Sequence, residues 1–201
     1  CVFGASCSKV DKAYLKAAYE AGALLAEAGV GMVFGGGDTG LMGAAARGVK
    51  SKGGEVIGVI PEKLNQPGIA YPDCDALIVT PDMHARKAKM EALSFGFLAL
   101  PGGFGTLEEL LEVITLNQLG YLSAPVAILN TQGYYDALLA QLETCIVQDF
   151  TDSACRAIYH AADTPQDAVA WMLAAGPPDL PNKIKDAIED DKRIRAQQTT
   201  N

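Results

Sequence analysis

Histidine is scarce in this sequence, and its cysteines are not arranged to bind a metal. The chain has two histidines and five cysteines, and the cysteines show neither a C-x-x-C pair nor the spacing of metal ligands. A histidine-based catalytic triad or a multi-histidine metal site is therefore not expected. We predict a cytoplasmic protein with reduced thiols that uses no metal and no cofactor.

Net positive charge and long apolar runs are also absent. The chain carries 16 Lys and Arg against 24 Asp and Glu, a formal net charge of -8. An acidic surface repels the phosphates of nucleic acids and of anionic membranes. No apolar run approaches the length of a membrane span, and no signal peptide is visible. The sequence therefore predicts neither a nucleic-acid partner nor a membrane partner.

What the sequence does have is a regular alternation of strand-like and helix-like segments. Its 201 residues, 49% of them hydrophobic, are enough to bury one sizeable core. Strands are predicted at Cys1–Gly4, Val30–Phe34, Val56–Ile60, Ala76–Val79, Phe97–Leu100, Val126–Leu129 and Ala157–His160, and helices near residues 10–28, 40–52, 81–93, 106–119, 133–147 and 165–174. We predict an α/β, single-domain, Rossmann-like doubly wound parallel sheet over residues 1–175. A charged tail, helical or partly disordered, is predicted over 176–201.

The most informative stretch is a glycine-rich turn at residues 101–109, which reads Pro-Gly-Gly-Phe-Gly-Thr-Leu-Glu-Glu. It follows an apolar run and leads into a helix whose apolar residues recur at i, i+3, i+4 and i+7. Glycines in such a turn leave backbone N–H groups unshielded at the positive end of a helix, a setting that favours a phosphate. Glu109 follows in the first helical turn, close enough to act on whatever the phosphate holds in place.

A structural explanation also exists for part of this turn. Thr106-x-x-Glu109 matches a capping box, in which Thr106 caps the helix and Glu109 reaches back to it. A capping box has no need of Gly102, Gly103 and Gly105, which are explained best by close approach of another group to the backbone. The capping role and a functional role can coexist.

A second glycine-rich turn has the same strand-to-helix setting. Gly35-x-Gly37-x-x-Gly40 matches the dinucleotide fingerprint, and Glu62 lies at about the right distance to hold a ribose. The match sits in the second strand-helix unit, whereas such a fingerprint normally opens the first. The first turn contains Ser6, which is expected to bind ligand or to cap the first helix. Three small-residue turns at strand ends predict one ligand, a mononucleotide, across a switch point of the sheet.

The third segment of interest is the helix predicted after Thr80, its expected N-cap. On that helix Arg86 shares one stripe with Met83 and Met90, so it faces the body of the protein. A buried arginine is costly unless it is paired, and it can also snorkel out at the edge of its stripe. Beside two phosphate-type turns, an inward arginine is interpreted as a ligand clamp. Lys87 points elsewhere and is expected to be solvated or to border the pocket.

Together these motifs resemble one protein family. The Gly-Gly-Gly-x-x-Gly-Leu-Met-Gly turn at 35–43, Met-His-x-Arg-Lys at 83–87 and Pro-Gly-Gly-x-Gly-Thr-x-x-Glu at 101–109 are similar to those of the Lonely Guy family. Its members are cytokinin riboside 5'-monophosphate phosphoribohydrolases, many of them once mislabelled lysine decarboxylases. The resemblance runs from the first strand to about residue 175.

The resemblance implies a catalytic pair, Arg86 and Glu109. It also implies a homodimer, since short members of the family resemble dimers with shared sites. From the resemblance and the glycine turns together, the candidate substrate-binding residues are Lys87, Gly102, Gly103, Phe104, Gly105, Thr106, Thr115, Gly36, Gly37 and Ser6.

The resulting hypothesis is hydrolysis of the N-glycosidic bond of N6-substituted AMP to free base and ribose 5-phosphate. Breaking this bond builds positive charge on the ribose, which the carboxylate of Glu109 can stabilise while it orients water or holds ribose hydroxyls. Arg86 either binds phosphate or assists the departing base. The alternatives are a nucleotide-binding carrier or sensor without chemistry, and an NAD-dependent oxidoreductase that rests on the fingerprint match alone.

Overall fold

A computed structural model describes residues 1–176 and, beyond them, residues 178, 180 and 192. Its strands are β1 (Val2–Phe3), β2 (Met32–Phe34), β3 (Val56–Pro61), β4 (Ala76–Thr80), β5 (Phe97–Ala99), β6 (Val126–Leu129) and β7 (Tyr159–Ala162). Its helices are α1 (Lys12–Glu27), α2 (Gly40–Ser51), α3 (Met83–Ala92), α4 (Phe104–Gln118), α5 (Asp136–Val147) and α6 (Pro165–Ala174). Short 3-10 helices occur at Glu62–Leu64, Thr131–Gly133 and Ser153–Ile158.

The strands form one parallel sheet in the order β4-β3-β2-β1-β5-β6-β7. Every strand pairing in it is parallel. The order runs outward from β1 in one direction through β4 and in the other through β7. The switch point therefore lies between β1 and β5. The predicted Rossmann-like, doubly wound parallel sheet is confirmed.

Each face of the sheet buries its own hydrophobic core. Along β5 and just beyond it, Leu98 and Leu100 belong to one cluster while Phe97 and Ala99 belong to the other. Successive side chains of a strand point to opposite faces, so a continuous apolar run fills both cores. This is why the central strands of the chain are apolar without a gap.

Two helices on one face approach each other closely through glycine. A Cβ atom at Gly48 of α2 would lie 2.0 Å from the backbone oxygen of Tyr19 in α1. A Cβ atom at Gly22 of α1 would lie 2.0 Å from the oxygen of Ala45 in α2. Reciprocal glycines thus let the two helix backbones touch.

Some element boundaries differ from those predicted. β7 begins at Tyr159, two residues later than expected, because a 3-10 helix capped by the Asp152 side chain occupies the preceding residues. α5 begins at Asp136 rather than near 133, because Gln132 and Gly133 have φ angles of 55° and 70°. Such angles do not continue an α-helix. Apart from residues 176, 178, 180 and 192, the predicted charged tail lies outside the described residues.

Across the described ranges, no helix combines the length and the apolar character needed to cross a membrane.

Candidate active site

Three loops meet at the carboxyl ends of the central strands. They follow β1, β2 and β5, which are neighbours in the sheet. With α3 they enclose a cavity of about 610 Å³, within the range of about 300–1,000 Å³ of small-molecule sites. Of the predicted site residues, the cavity brings together Ser6, Gly37, Arg86, Gly103, Phe104, Gly105, Thr106 and Glu109. The expected switch-point site is therefore a physical pocket.

The predicted catalytic pair forms a buried ion pair at this cavity. Arg86 Nη1 on α3 donates to Glu109 Oε1 on α4 at 2.8 Å, and each residue is only 7% exposed. Arg86 Nε donates to the backbone oxygen of Val59 in β3 at 3.1 Å. Burial raises the pKa of the Glu109 carboxyl above its ordinary value, and the neighbouring guanidinium opposes this shift. A buried arginine is thus paired, and a carboxylate is held at the cavity wall.

The start of α3 differs from the sequence expectation. Asp82, not Thr80, is the N-cap, and its carboxylate accepts a hydrogen bond from the Ala85 amide at 2.8 Å. Thr80 is the last residue of β4. Arg86 is buried as predicted, but Met83 on the same stripe is 45% exposed because it lines the open cavity.

The predicted capping box at the start of α4 is wrong. The helix begins at Phe104 with Gly103 as N-cap, and no side chain caps it. Glu109 bonds to Arg86 instead of reaching back to Thr106. The Thr106 side chain packs on Gly102, where an added Cβ atom would lie 2.1 Å from Thr106 Oγ1. Gly102 therefore makes room for Thr106 and does not line the cavity.

The open end of α4 is the strongest anion-binding feature of the site. Within residues 1–176, the amides of Phe104, Gly105 and Thr106 donate no hydrogen bond to the protein. A Cβ atom at Gly103 or Gly105 would meet no atom within 4 Å, so these glycines border the cavity without shielding the amides. Free N–H groups at the positive end of a helix favour a phosphate.

The first turn of α2, in contrast, is occupied by protein. Ser8 Oγ accepts the Gly40 amide at 3.0 Å, and the Ala5 oxygen accepts the Leu41 amide at 2.8 Å. Gly36 has a φ angle of 76° and faces Ile60, so it shapes the turn and does not line the cavity. The first amides of α2 are therefore not free for the pyrophosphate that a dinucleotide places at a helix N-terminus.

The loop after β1 also differs in its details from the sequence expectation. Asp11, not Ser6, caps α1 and accepts the Ala13 amide at 2.8 Å. Ser6 lines the cavity, and its backbone oxygen accepts the Thr39 hydroxyl at 2.7 Å. The serine that acts as a cap is Ser8, and the helix that it caps is α2.

Lys87 is not solvated, and it does not line the cavity. Its side chain is 11% exposed and forms ion pairs with Glu108 and, at 2.9 Å, with Glu112. Burial alone would lower the pKa of Lys87, but the two carboxylates outweigh burial and the net shift is upward. Lys87 therefore links α3 to α4 through ion pairs beside the Arg86–Glu109 pair.

Thr115 lies away from the other candidate residues. Its hydroxyl donates to the Leu111 backbone oxygen at 2.7 Å. It lines a separate, largely apolar cavity of about 250 Å³ between α4 and α5. Within one chain, the structure does not bring Thr115 to Arg86.

Sequence reasoning missed the apolar wall of the main cavity. This wall is formed by Met42, Ile60, Leu64, Ile69 and Met83. Leu64 and Ile69 come from the connection between β3 and β4, which is held over the β2–α2 turn by a bond from the Tyr71 amide to the Gly36 oxygen. The usable signal was the length of this connection, since α/β loops are usually about two to six residues long.

Among the described residues, no group of three or more His, Cys, Asp and Glu side chains could hold a metal ion.

Comparisons with known sequences identify relatives along most of the chain. The family model "Possible lysine decarboxylase" matches residues 42–172. The chain is 41% identical to the probable cytokinin riboside 5'-monophosphate phosphoribohydrolase LOGL6 of Oryza sativa subsp. japonica, over 88% of this chain and 71% of the relative. It is also 41% identical to the cytokinin riboside 5'-monophosphate phosphoribohydrolase LOG4 of Arabidopsis thaliana, over 88% of this chain and 82% of the relative.

Solved structures share the fold at lower identity. The molybdenum cofactor carrier protein of Chlamydomonas reinhardtii is 26% identical, with a TM-score of 0.65 over 87% of this chain and 96% of the other. The protein TM1055 has a TM-score of 0.68 at 24% identity, over 87% and 97% of the two chains, and supports the fold alone.

The family model covers two of the three motifs around the cavity, those at 83–87 and 101–109, and the relatives match most of the chain. On this basis the chain belongs to the Lonely Guy family, the family of the cytokinin riboside 5'-monophosphate phosphoribohydrolases.

Proposed function

We propose that this protein hydrolyses the N-glycosidic bond of nucleoside 5'-monophosphates, releasing the free base and ribose 5-phosphate. The observation that carries the proposal is the buried Arg86–Glu109 pair at the wall of a cavity that also contains the open start of α4. Homology to phosphoribohydrolases at 41% identity supports the same reaction class.

The phosphate end of the substrate is assigned to α4. The amides of Phe104, Gly105 and Thr106 are free to donate to phosphate oxygens, and the helix dipole adds to their attraction. The first amides of α2 are occupied by Ser8 and Ala5, so of these two helix starts only that of α4 offers free amides to a phosphate. One open helix start fits a monophosphate better than a dinucleotide.

The reacting end is assigned to Glu109 and Arg86. As the bond between ribose and base breaks, positive charge develops on the ribose ring, and a nearby carboxylate stabilises that charge. Glu109 performs this role in its ionised form, by orienting the attacking water or by holding ribose hydroxyls. Arg86 keeps the carboxylate in place and, with its remaining N–H groups, binds phosphate or assists the departing base.

The base end is assigned to the apolar wall. Leu64, Ile69 and Met83 are between 41% and 45% exposed and border the same cavity. Exposed apolar side chains around a cavity favour a ligand with apolar surface. This supports an adenine that carries an apolar group on N6, as in cytokinin nucleotides, over unmodified AMP.

A homodimer is part of the proposal. Met90 is 1% exposed and belongs to the core of the single chain, so it offers no surface to a partner. Apolar side chains at least 39% exposed do occur on α4 and α5 or just after them: Leu111, Leu119, Tyr121, Val147 and Phe150. Two-fold pairing is the commonest way to cover such a surface.

The direct test is to incubate the protein with AMP and with N6-isopentenyl-AMP and to measure free base by chromatography. Release from both, faster from the modified nucleotide, is the expected result. Binding of either nucleotide without release would favour the carrier alternative, which a likeness to the Chlamydomonas carrier protein also supports. The Glu109→Gln variant is the matched control for a contaminating hydrolase, because it should release almost no base.

A further inference from the structure

The first glycine of the β2–α2 turn lies against the guanidinium of Arg86. A Cβ atom at Gly35 would lie 2.0 Å from Arg86 Nη2 and 3.1 Å from its Cζ. Gly35 is not among the glycines with a positive φ angle, so its backbone conformation is open to other residues. Glycine is therefore required at this position by its neighbour Arg86 and not by the turn.

Arg86 is held from three sides. Its Nε donates to the Val59 oxygen at 3.1 Å, its Nη1 donates to Glu109 at 2.8 Å, and its Nη2 occupies the space that a side chain at Gly35 would fill. The guanidinium is a rigid plane, so displacing one nitrogen moves the other two. A methyl group at Gly35 would therefore disturb the bonds to Glu109 and Val59 together.

We propose that Gly35 is a positioning residue, whose missing side chain seats the guanidinium of Arg86 against Glu109. The proposal rests on the hydrolase function above and adds a residue to it. It also explains two glycines of the Gly35-x-Gly37-x-x-Gly40 turn by packing within the protein and not by binding of a dinucleotide. Gly35 admits Arg86, while Gly40, whose added Cβ atom would lie 2.3 Å from the Ala5 oxygen, lets the loop after β1 close on α2.

The variant Gly35→Ala should fold and lose activity. The crowded atoms belong to the far end of a flexible side chain, so the arginine can move while the backbone stays. Relief of the contact needs a displacement of roughly 1 Å, and a misplacement of that size can cost about 100-fold in rate. We expect kcat/KM for AMP to fall about 100-fold.

A double-mutant cycle separates positioning from damage to the turn. Lysine has no Nη2 atom, so Gly35→Ala should cost about 100-fold beside Arg86 but less than about threefold in the Arg86→Lys background. The same factor in both backgrounds would mean that alanine harms the turn directly, and the positioning role would be rejected.

A second cycle uses stability and does not depend on catalysis. Gly35→Ala should lower the urea midpoint of the parental chain, because it weakens a buried ion pair, and should barely change it in the Arg86→Met background. Equal losses in both backgrounds would overturn the proposal. Gly31→Ala is the control, since its Cβ atom would meet only ordinary contacts at 3.4 Å or more.

If the parental chain releases base from no nucleotide, the hydrolase proposal fails while this stability cycle still decides the role of Gly35.

Discussion

At the scale of single residues, the buried carboxylate of Glu109 is the group on which the proposed reaction depends. Glu109→Gln keeps the size of the side chain, and its amide oxygen can still accept from Arg86 Nη1. The fold should therefore survive, while loss of the negative charge lowers kcat by about 10²–10³-fold. Steady-state kinetics with N6-isopentenyl-AMP measures the loss, and circular dichroism checks the fold. Parental turnover in this variant would remove Glu109 from the mechanism.

The protonation of Glu109 predicts a pH dependence. Burial raises the pKa of this carboxyl above its ordinary value of 4.5, and Arg86 works against that shift. Below the raised pKa the group is neutral and inactive, and above it the group is ionised and active. Activity should therefore rise with pH through an acid limb placed higher than that of an ordinary glutamate. A pH profile of kcat/KM tests this, and the limb should be missing from the residual activity of Glu109→Gln.

The residue scale is also where sequence reasoning was least complete. Arg86 and Glu109 were assigned from a motif, and the structure brings them into contact. The caps were misplaced, because Thr80 and Asp82, like Gly103 and Thr106, are all acceptable near a helix start and differ by only about 1 kcal/mol in capping. The 2.8 Å contact between Arg86 and Glu109 joins α3 to α4. Neither local sequence alone predicts that contact.

At the scale of elements, the open start of α4 predicts strict dependence on the 5'-phosphate. The free amides of Phe104, Gly105 and Thr106 attract the negative charge of a phosphate. A nucleoside has a neutral ribose 5'-hydroxyl in that place and lacks this charge. AMP should therefore be cleaved with a kcat/KM at least about 100-fold above that of adenosine, since charge-assisted hydrogen bonds contribute about 1.5–3 kcal/mol each. Competition kinetics with both substrates in one vessel gives the ratio directly. Equal rates would take the anchoring role away from α4.

The contact between α1 and α2 predicts a change in stability. Alanine at Gly48 should gain up to about 1 kcal/mol from helix propensity, but its Cβ atom would lie 2.0 Å from the Tyr19 oxygen. The backbone of α1 cannot move aside at low cost, so overpacking should cost about 1–3 kcal/mol, more than the gain in helix propensity. The free energy of unfolding of Gly48→Ala should therefore be lower than that of the parental chain. Urea unfolding followed by fluorescence tests this. The exposed Gly31→Ala serves as comparison, and a stabilised Gly48→Ala would show that the helices separate easily.

Elements were predictable where the pattern was strong. Apolar runs located all seven strands, and periodicity located six helices. The pattern is strongest in the central strands, because burial on both faces of the sheet requires continuous apolar residues there. The β3–β4 connection was not interpreted, since the contacts that shape it, from Tyr71 to Gly36 and from Asp38 to Ile69, lie far apart in sequence.

At the scale of the whole molecule, the exposed apolar side chains on and after α4 and α5 predict self-association. Tyr121 and Phe150 are 74% and 79% exposed, an unfavourable state for large rings in water. We expect light scattering at micromolar concentration to give the mass of two chains. The variant Phe150→Ser should weaken the association if this face is the contact. A single-chain mass with full activity on dilution would reject both the dimer and a shared pocket.

The parallel, doubly wound architecture was predictable because strand and α-helix alternate through residue 174, except between β3 and β4, which a loop with one short 3-10 helix connects. The order of the strands was not predictable, because it depends on which strand pairs with β1 on the side opposite to β2. That partner is β5, whose residue Leu98 pairs with Val2 although the two are separated by about half the length of the chain.

The pairing of β1 with β5 has a consequence for how this molecule responds to its ligand. The candidate cavity is lined from both sides of that seam, by Ser6 and Gly37 on one side and by Gly103 and Glu109 on the other. A molecule bound there contacts both halves of the sheet, which are far apart in sequence, and so connects them. A ligand that binds only the folded chain stabilises it by mass action, so binding at this place is expected to strengthen the association of the two halves of the sheet.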